Sequence, residues 1–173
     1  MRRPLASVDV EVDHAKAVFK DPFFGTYDEH ARMPSWMTSE VLSLGLLSKI
    51  YRNMKMSPSK KAIARHFGLP NPKVLESWMQ SISYVRNICA HHSRLWNRVL
   101  TVRPNYLDRP INLWLPDNPA NDRSYYFTCC ILYMLRSINP KTRFVIHLRE
   151  LLNRYPNLKT APIGFPADWE NQE

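Results

Sequence analysis

The stretch "NPKVLESWMQSISYVRNICAHHSRLWNRV", Asn71 to Val99, decides the fold, because it predicts one long central helix. Asn71 can act as the N-cap of this helix, and Pro72 suits its first position. Apolar side chains recur at helical spacing along one side, at Val74, Leu75, Trp78, Met79, Ile82, Val85 and Ile88. We therefore predict a helix from about Pro72 to Val99.

The sequence on either side of this stretch predicts further helices, separated by prolines. The chain has 14 prolines and 4 glycines, and the prolines gather between apolar-periodic segments. Neither an alternating strand pattern nor a hairpin turn signal is present, so the predicted fold class is all-α. The additional helices are expected over about Val8 to Phe19, from near Ser35 through Tyr51, within Ser59 to Leu69, and over about Arg123 to Ser137 and Lys141 to Tyr155.

A long connection without helical periodicity, residues 103–122, separates the central helix from the last two. Connections of this length are often functional or packed over other elements, and both alternatives stay open here. The aromatic residues predicted to lie in the core are Trp36, Trp78, Tyr125, Tyr126, Phe127 and Tyr133. The positions of Trp96, Trp114 and Trp169 stay open, and Trp96 suits either a dimer interface or a functional site.

The length and composition predict one soluble domain spanning residues 1–173. The formal net charge of +9 favours an anionic partner, with nucleic acid ahead of a membrane, although the same charge also promotes solubility. The 3 cysteines form no disulfide pattern, which suits a reducing cytoplasm. No apolar run approaches the ~20 residues that span a bilayer, and no signal peptide is recognisable. We expect a cytoplasmic protein without a membrane partner.

Four polar residues of the predicted central helix would form a narrow stripe on one face. Asn87, His91, Arg94 and Arg98 follow one another at spacings of four, three and four, within about 60° of arc. Arginine suits phosphate oxygens, and histidine exchanges protons near neutral pH. The stripe therefore predicts metal-free RNA cleavage, in which a base activates the 2′-OH and an acid protonates the leaving 5′-oxygen. A solvated helix face has the same pattern and stays open as the alternative.

Arg86 and His92 would lie outside this stripe. Arg86 would point about 140° away from His91, so one helix could not bring both to one phosphate, whereas a two-fold dimer could. His92 lies on the opposite side, where it is either a structural histidine or an RNA contact. Cys89 has apolar neighbours and is predicted to be a buried thiol. Adjacent histidines point apart and lack further ligands, so neither a metal nor another cofactor is expected.

The segment "RNICAHHSRLWNR", Arg86 to Arg98, resembles the signature of the Abi-like proteins, the AbiD/AbiF group of bacterial abortive-infection proteins. Its first part, Arg86 to His91, matches the R-x-x-x-x-H motif of HEPN domains, including the preferred asparagine after the arginine. The blocks "MPSWMTSEVLSLGLLSKIYRNM" (33–54), "LESWMQSISYVRN" (75–87) and "GFPADW" (164–169) are similar to the family as well. The resemblance extends from about Phe19 to Trp169.

This resemblance implies a HEPN-like helical bundle that forms a homodimer and acts as a metal-independent endoribonuclease in phage defence. By position, Arg86 would bind the scissile phosphate, Asn87 would orient it or the histidine, and His91 would be the acid or base. Arg94 and Arg98 join them from the stripe as RNA-backbone contacts. Further partners would be a regulatory RNA or an antitoxin. Typical members are longer, so we expect the chain to correspond to their C-terminal half.

Two other functions are compatible with the sequence. The first is a non-catalytic RNA- or protein-binding HEPN module of a defence or toxin–antitoxin system, since fold does not imply catalysis. The second is a helix-turn-helix DNA binder, for which Ala64, Gly68 and Val74 have the required spacing. Its basic flank would be Lys60, Lys61, Arg65 and Lys73. A helical hairpin of the scaffold with a glycine C-cap explains the same residues and is favoured.

Overall fold

The computed structural model describes residues 4–14, 23, 25–26, 33–115 and 119–169. All regular structure in these ranges is helical and none of it is strand, which confirms the all-α prediction. The helices are α1 (Pro4–His14), α2 (Ser35–Val41), α3 (Leu44–Asn53), α4 (Pro58–His66), α5 (Pro72–Ala90), α6 (Ser124–Ile138), α7 (Phe144–Asn153) and a 3₁₀ turn (Ala161–Ile163). The chain divides into two compact units, Met1–Asn53 and Met54–Glu173.

In the first unit, α1 packs against α2 and α3, with Val12, Met33 and Met37 buried between them. The single helix predicted from Ser35 to Tyr51 is wrong, because it is interrupted at Ser43. The Ser43 hydroxyl accepts the N–H of Leu46 at 3.3 Å, and its own N–H and O–H donate to the Glu11 carboxylate at 2.6 and 2.8 Å. Ser43 is therefore the N-cap of a new helix.

The start of α1 and the exposure of Trp36 differ from the predictions for this first unit. Helix α1 begins at Pro4, earlier than predicted, and residues 15–19 of the predicted first helix lie outside the described residues. Trp36 is 63% exposed, so its predicted core position is wrong. The other five aromatic residues predicted for the core belong to the second unit, and they are buried: Trp78, Tyr125, Tyr126, Phe127 and Tyr133.

In the second unit, the local sequence explains how α4 and α5 begin and how α4 ends. Ser57 caps α4 by accepting the N–H of Lys60 at 3.2 Å, and Asn71 caps α5 by accepting the N–H of Lys73 at 2.9 Å. Gly68 has a φ of +72°, which allows a Schellman turn after α4. In that turn the N–H groups of Gly68 and Leu69 donate to Arg65 and Ala64 at 2.8 and 3.0 Å. The predicted helical hairpin with a glycine C-cap is confirmed.

A buried ion pair joins these two helices. The Lys60 ammonium lies 2.7 Å from the Glu76 carboxylate, and both residues are buried. Lys60 also donates to the carbonyl of Met54 at 2.9 Å. Lys73 approaches the same carboxylate at 3.4 Å from the exposed side of α5. Two charges removed from water in this way are tolerated because each keeps polar partners.

The long connection is irregular in its described part, as predicted, and it packs over the core. Trp78 and Tyr126 donate from their side chains to the carbonyl of Asn105 at 2.9 and 3.2 Å. The Tyr133 hydroxyl donates to the carbonyl of Gly68 at 2.6 Å, and it accepts two N–H groups of the connection at 3.2 Å, those of Ile111 and Asn112. Trp114, from the connection, lies edge-on to Tyr126 and Tyr133.

Helices α6 and α7 lie close to the predicted positions, with α7 starting three residues later than expected and ending two residues earlier. Helix α6 packs against α5 and contributes Tyr125, Tyr126, Phe127, Cys130 and Tyr133 to the core. Among the helices described, we find none with both the length and the apolar character that crossing a bilayer requires.

Candidate functional site

The candidate site lies where α5 ends. The helix stops at Ala90, with His91 as its C-cap, so the predicted continuation to Val99 is wrong. Two hydrogen bonds of a Schellman motif close the helix, from the N–H of His92 to the carbonyl of Cys89 and from the N–H of Ser93 to that of Ile88, each 3.0 Å long. Arg94 and Arg98 consequently follow in a loop and do not extend the stripe along the helix.

His92 occupies the position of this motif at which glycine is most common. Its φ is +51°, in the left-handed region, and Asn97 further along the loop has a φ of +52°. The His92 side chain is exposed and forms no hydrogen bond with any described residue, so the predicted role as a satisfied structural histidine is wrong. Backbone strain at non-glycine residues concentrates at functional sites in proteins, and here it follows His91 directly.

The part of the stripe that remains on the helix contains Asn87 and His91. The N–H of His91 still donates to the Asn87 carbonyl at 3.0 Å, as in a regular helix. The Asn87 side chain accepts a hydrogen bond from Arg86 Nη1 at 3.3 Å. Asn87 therefore connects Arg86 to the helix turn that ends at His91, although Arg86 starts from a different side of the helix. The side chains of all three residues are exposed.

Contacts of Leu95 and Asn97 hold the loop after His91 in place. Leu95 packs against the buried cluster of Val85, Ile88, Leu100 and Phe127, and the Asn97 side chain accepts a hydrogen bond from Arg123 Nη1 at 3.1 Å. Within the loop, Arg94 Nε donates to the carbonyl of Trp96 at 3.0 Å. These contacts fix the loop beside the end of α5, with Trp96 36% exposed.

Within the part of the chain that the structure describes, the positive charge around this helix end has no carboxylate partner. The sequence contains no Asp or Glu between Glu76 and Asp108. Among the described residues, no carboxylate pairs with Arg86, Arg94 or Arg98. Three guanidinium groups at this helix end and in its loop, none with a carboxylate partner among the described residues, favour binding of an anion.

Tyr84 lies on the same side of α5 as this site, although the sequence analysis did not identify it. It lies three residues before Asn87 and seven before His91, which places all three on one side of α5. The Thr101 hydroxyl donates to Tyr84 Oη at 3.1 Å. This hydrogen bond and the nearby Arg98 charge, partly opposed by burial, hold the pKa of Tyr84 below its usual value. The helical spacing could have revealed Tyr84, but its contacts with the loop could not have been predicted.

The cysteines differ from the prediction at one position. Cys89 is exposed on α5, not buried, because its side chain lies outside the apolar face. Burial raises the pKa of Cys129 to about 12 and that of Cys130 well above its usual value. In the described ranges, no group of three or more His, Cys, Asp or Glu side chains is arranged to hold a metal ion.

The structure removes part of the support for the helix-turn-helix alternative. Lys60, which belongs to the proposed basic flank, is buried against Glu76 and cannot reach a DNA phosphate. Trp78 on the second helix is fully buried. In the first half of that helix and at its cap, the residues that stay exposed for base contacts are Asn71, Lys73 and Gln80.

Comparison with known proteins finds one family, described as Abi-like protein, which matches residues 3–97. This segment is just over half of the chain and includes the block at 33–54 and the whole Arg86–His91 motif, whereas "GFPADW" lies beyond it. Neither a curated protein nor a solved structure gives a significant match. The chain therefore belongs to the Abi-like protein family.

Proposed function

We propose that this chain is a metal-independent endoribonuclease of the HEPN type that acts in abortive infection. Membership of the Abi-like family supports the biological role. The observation that carries the chemistry is that Arg86, Asn87 and His91 all have exposed side chains at one helix end, where Arg86 is hydrogen-bonded to Asn87. The unpaired positive charge around it supports a polyanionic substrate.

The proposed reaction uses groups that are available at this helix end. A neutral imidazole takes the proton of the 2′-OH, and the 2′-oxygen attacks the adjacent phosphorus. The Arg86 guanidinium donates to the non-bridging oxygens and stabilises the charge that develops there. The bond to the 5′-oxygen breaks as an acid protonates that oxygen. The products are a 2′,3′-cyclic phosphate and a 5′-hydroxyl.

This reaction needs one base and one acid, and His91 supplies one imidazole per chain. A second copy related by a two-fold axis would supply the other. Cys89 and Ala90, which precede His91, have small exposed side chains that permit close approach of a second α5. The proposal therefore includes a homodimer with both α5 ends at a shared site.

The test is cleavage of total RNA by purified protein in the presence of EDTA. His91→Ala should reduce the rate at least about 100-fold, because general acid–base catalysis contributes that much or more. His147→Ala is the matched control, since it removes an exposed histidine from α7 and should leave the rate unchanged. Circular dichroism checks that both variants stay folded. Undiminished cleavage by His91→Ala would exclude the assignment.

A non-catalytic RNA-binding module is the second candidate, and the unneutralised positive charge of the same surface favours it. Such a module would hold a regulatory RNA or act together with an antitoxin. His91→Ala would then leave the effect on phage growth unchanged, whereas replacing Arg94 and Arg98 with glutamine would weaken it.

A further inference from the structure

Tyr84, Arg98 and Thr101 meet on the side of α5 that also carries Asn87 and His91. The Thr101 hydroxyl donates to Tyr84 Oη at 3.1 Å. The hydrogen bond from Thr101 and, to a smaller extent, the charge of Arg98 hold the pKa of Tyr84 below its usual value. The loop that follows α5 thus returns to the helix about two turns before His91.

The three side chains are held in place before any ligand binds. The Tyr84 ring packs against the buried cluster that contains Val85 and Ile88, which leaves its hydroxyl at the surface. Thr101 follows Leu100, a fully buried residue whose N–H donates to the carbonyl of Asp122 at 2.8 Å. Arg98 Nη1 donates to the carbonyl of Arg94 at 3.4 Å. Preorganised donors of this kind bind a ligand without further ordering.

The donors of this cluster suit a phosphate group. Because Tyr84 Oη accepts the hydrogen of Thr101, its own O–H is free to donate to a ligand oxygen. The Arg98 guanidinium adds a positive charge that no carboxylate among the described residues neutralises. A hydroxyl donor and a guanidinium group are both donor types that bind phosphate oxygens.

We propose that Tyr84, Arg98 and Thr101 form a second phosphate site, which binds the RNA backbone next to the scissile linkage. The proposal rests on the proposed function for the identity of the ligand as RNA. Seven residues of α-helix separate Tyr84 from His91, about 10 Å along the axis, so the cluster does not reach the phosphate at which His91 acts. Its members are positioning residues and not catalytic ones.

The first test measures binding of a single-stranded RNA oligonucleotide to protein carrying His91→Ala, which prevents cleavage. Adding Tyr84→Phe, which keeps the packed ring, should weaken binding about tenfold, as expected for a hydrogen bond to a charged group. Adding Arg98→Gln should also reduce the slope of log affinity against log salt by about one, whereas Tyr84→Phe should not change that slope. The matched controls are Tyr106→Phe and Arg154→Gln, both at exposed positions elsewhere in this unit.

The second test separates this proposal from the proposed nuclease function. In protein with an intact His91, Tyr84→Phe should raise KM for long RNA and leave kcat nearly unchanged. A dinucleotide has no flanking phosphate, so Tyr84→Phe should not affect its cleavage. If Tyr84→Phe slows both substrates equally, or binds RNA as tightly as the parent, the second site is excluded while cleavage by the unmodified chain still supports the nuclease. If no variant binds RNA, both proposals are wrong.

Discussion

At the scale of single residues, the backbone of His92 connects structure to the proposed function. Its φ of +51° is adopted readily by glycine but raises the energy of other residues by about 1–2 kcal/mol. Gly68 occupies the equivalent position after α4 with a φ of +72°. The chain therefore uses the favourable residue at one helix end and a strained histidine at the end that carries the motif.

We expect His92→Gly to stabilise the fold by about 0.5 kcal/mol, since relief of strain exceeds the added entropy of the unfolded chain. Gly68→Ala should instead destabilise it by more than about 1 kcal/mol, because the new Cβ would contact Asn112 and Tyr133 Oη at a positive φ. Urea denaturation measures both changes. A His92→Gly variant less stable than the parent would show that the histidine is not strained.

The three cysteines should differ in reactivity. Cys89 is exposed, whereas burial raises the pKa of Cys129 to about 12 and that of Cys130 well above its usual value. A raised pKa keeps a thiol protonated and unreactive until the pH approaches that value. Near pH 8, a disulfide reagent should therefore label Cys89 alone in the folded protein and all three cysteines after denaturation. Native labelling that persists in Cys89→Ser would contradict this assignment.

At the scale of helices, the sequence predicts the start of α5 but not its end. The beginning of α5 follows from Asn71 and Pro72, because a cap and a first-turn proline act locally. Its end could not be predicted, because His92 replaces the usual glycine signal and Leu95 continues the apolar spacing from within a loop. The break before α3 depends on the contact between Ser43 and Glu11, which are 32 residues apart in the sequence.

The stability of the fold should depend on the ion pair between α4 and α5. Lys60→Ala should destabilise the fold by about 3–5 kcal/mol, because it leaves the buried Glu76 carboxylate without its closest partner. Lys73→Ala removes the exposed partner of the same carboxylate and should cost less than about 1 kcal/mol. Chemical denaturation compares the two variants. Equal losses of stability would contradict the assignment of Lys60 as the main partner.

At the scale of the whole molecule, the residue types of the candidate site could be predicted, but their arrangement could not. The family resemblance identified Arg86, Asn87 and His91, and helical spacing placed two of them on one face. The hydrogen bond between Arg86 and Asn87 depends on side-chain rotamers. The interaction of Arg98 with Tyr84 depends on the loop that follows the end of α5. Neither feature leaves a periodic signal in the sequence.

The proposed homodimer predicts a concentration effect. If two copies share one site, the activity per chain should rise with protein concentration and level off once dimers predominate. Analytical ultracentrifugation over the same range should show the dimer forming in parallel. Activity per chain that stays constant while the protein is monomeric would contradict a shared site.

The central claim is that His91, with Arg86 and Asn87, cleaves RNA by attack of the 2′-hydroxyl. The most direct measurement compares an RNA oligonucleotide with the same oligonucleotide carrying one 2′-deoxy substitution at the cleaved position, both in EDTA. We predict that the all-ribose strand yields a 2′,3′-cyclic phosphate and that both the substituted strand and the His91→Ala variant give no cleavage there. Cleavage of the substituted strand at that position, or by His91→Ala at the parental rate, would contradict the account.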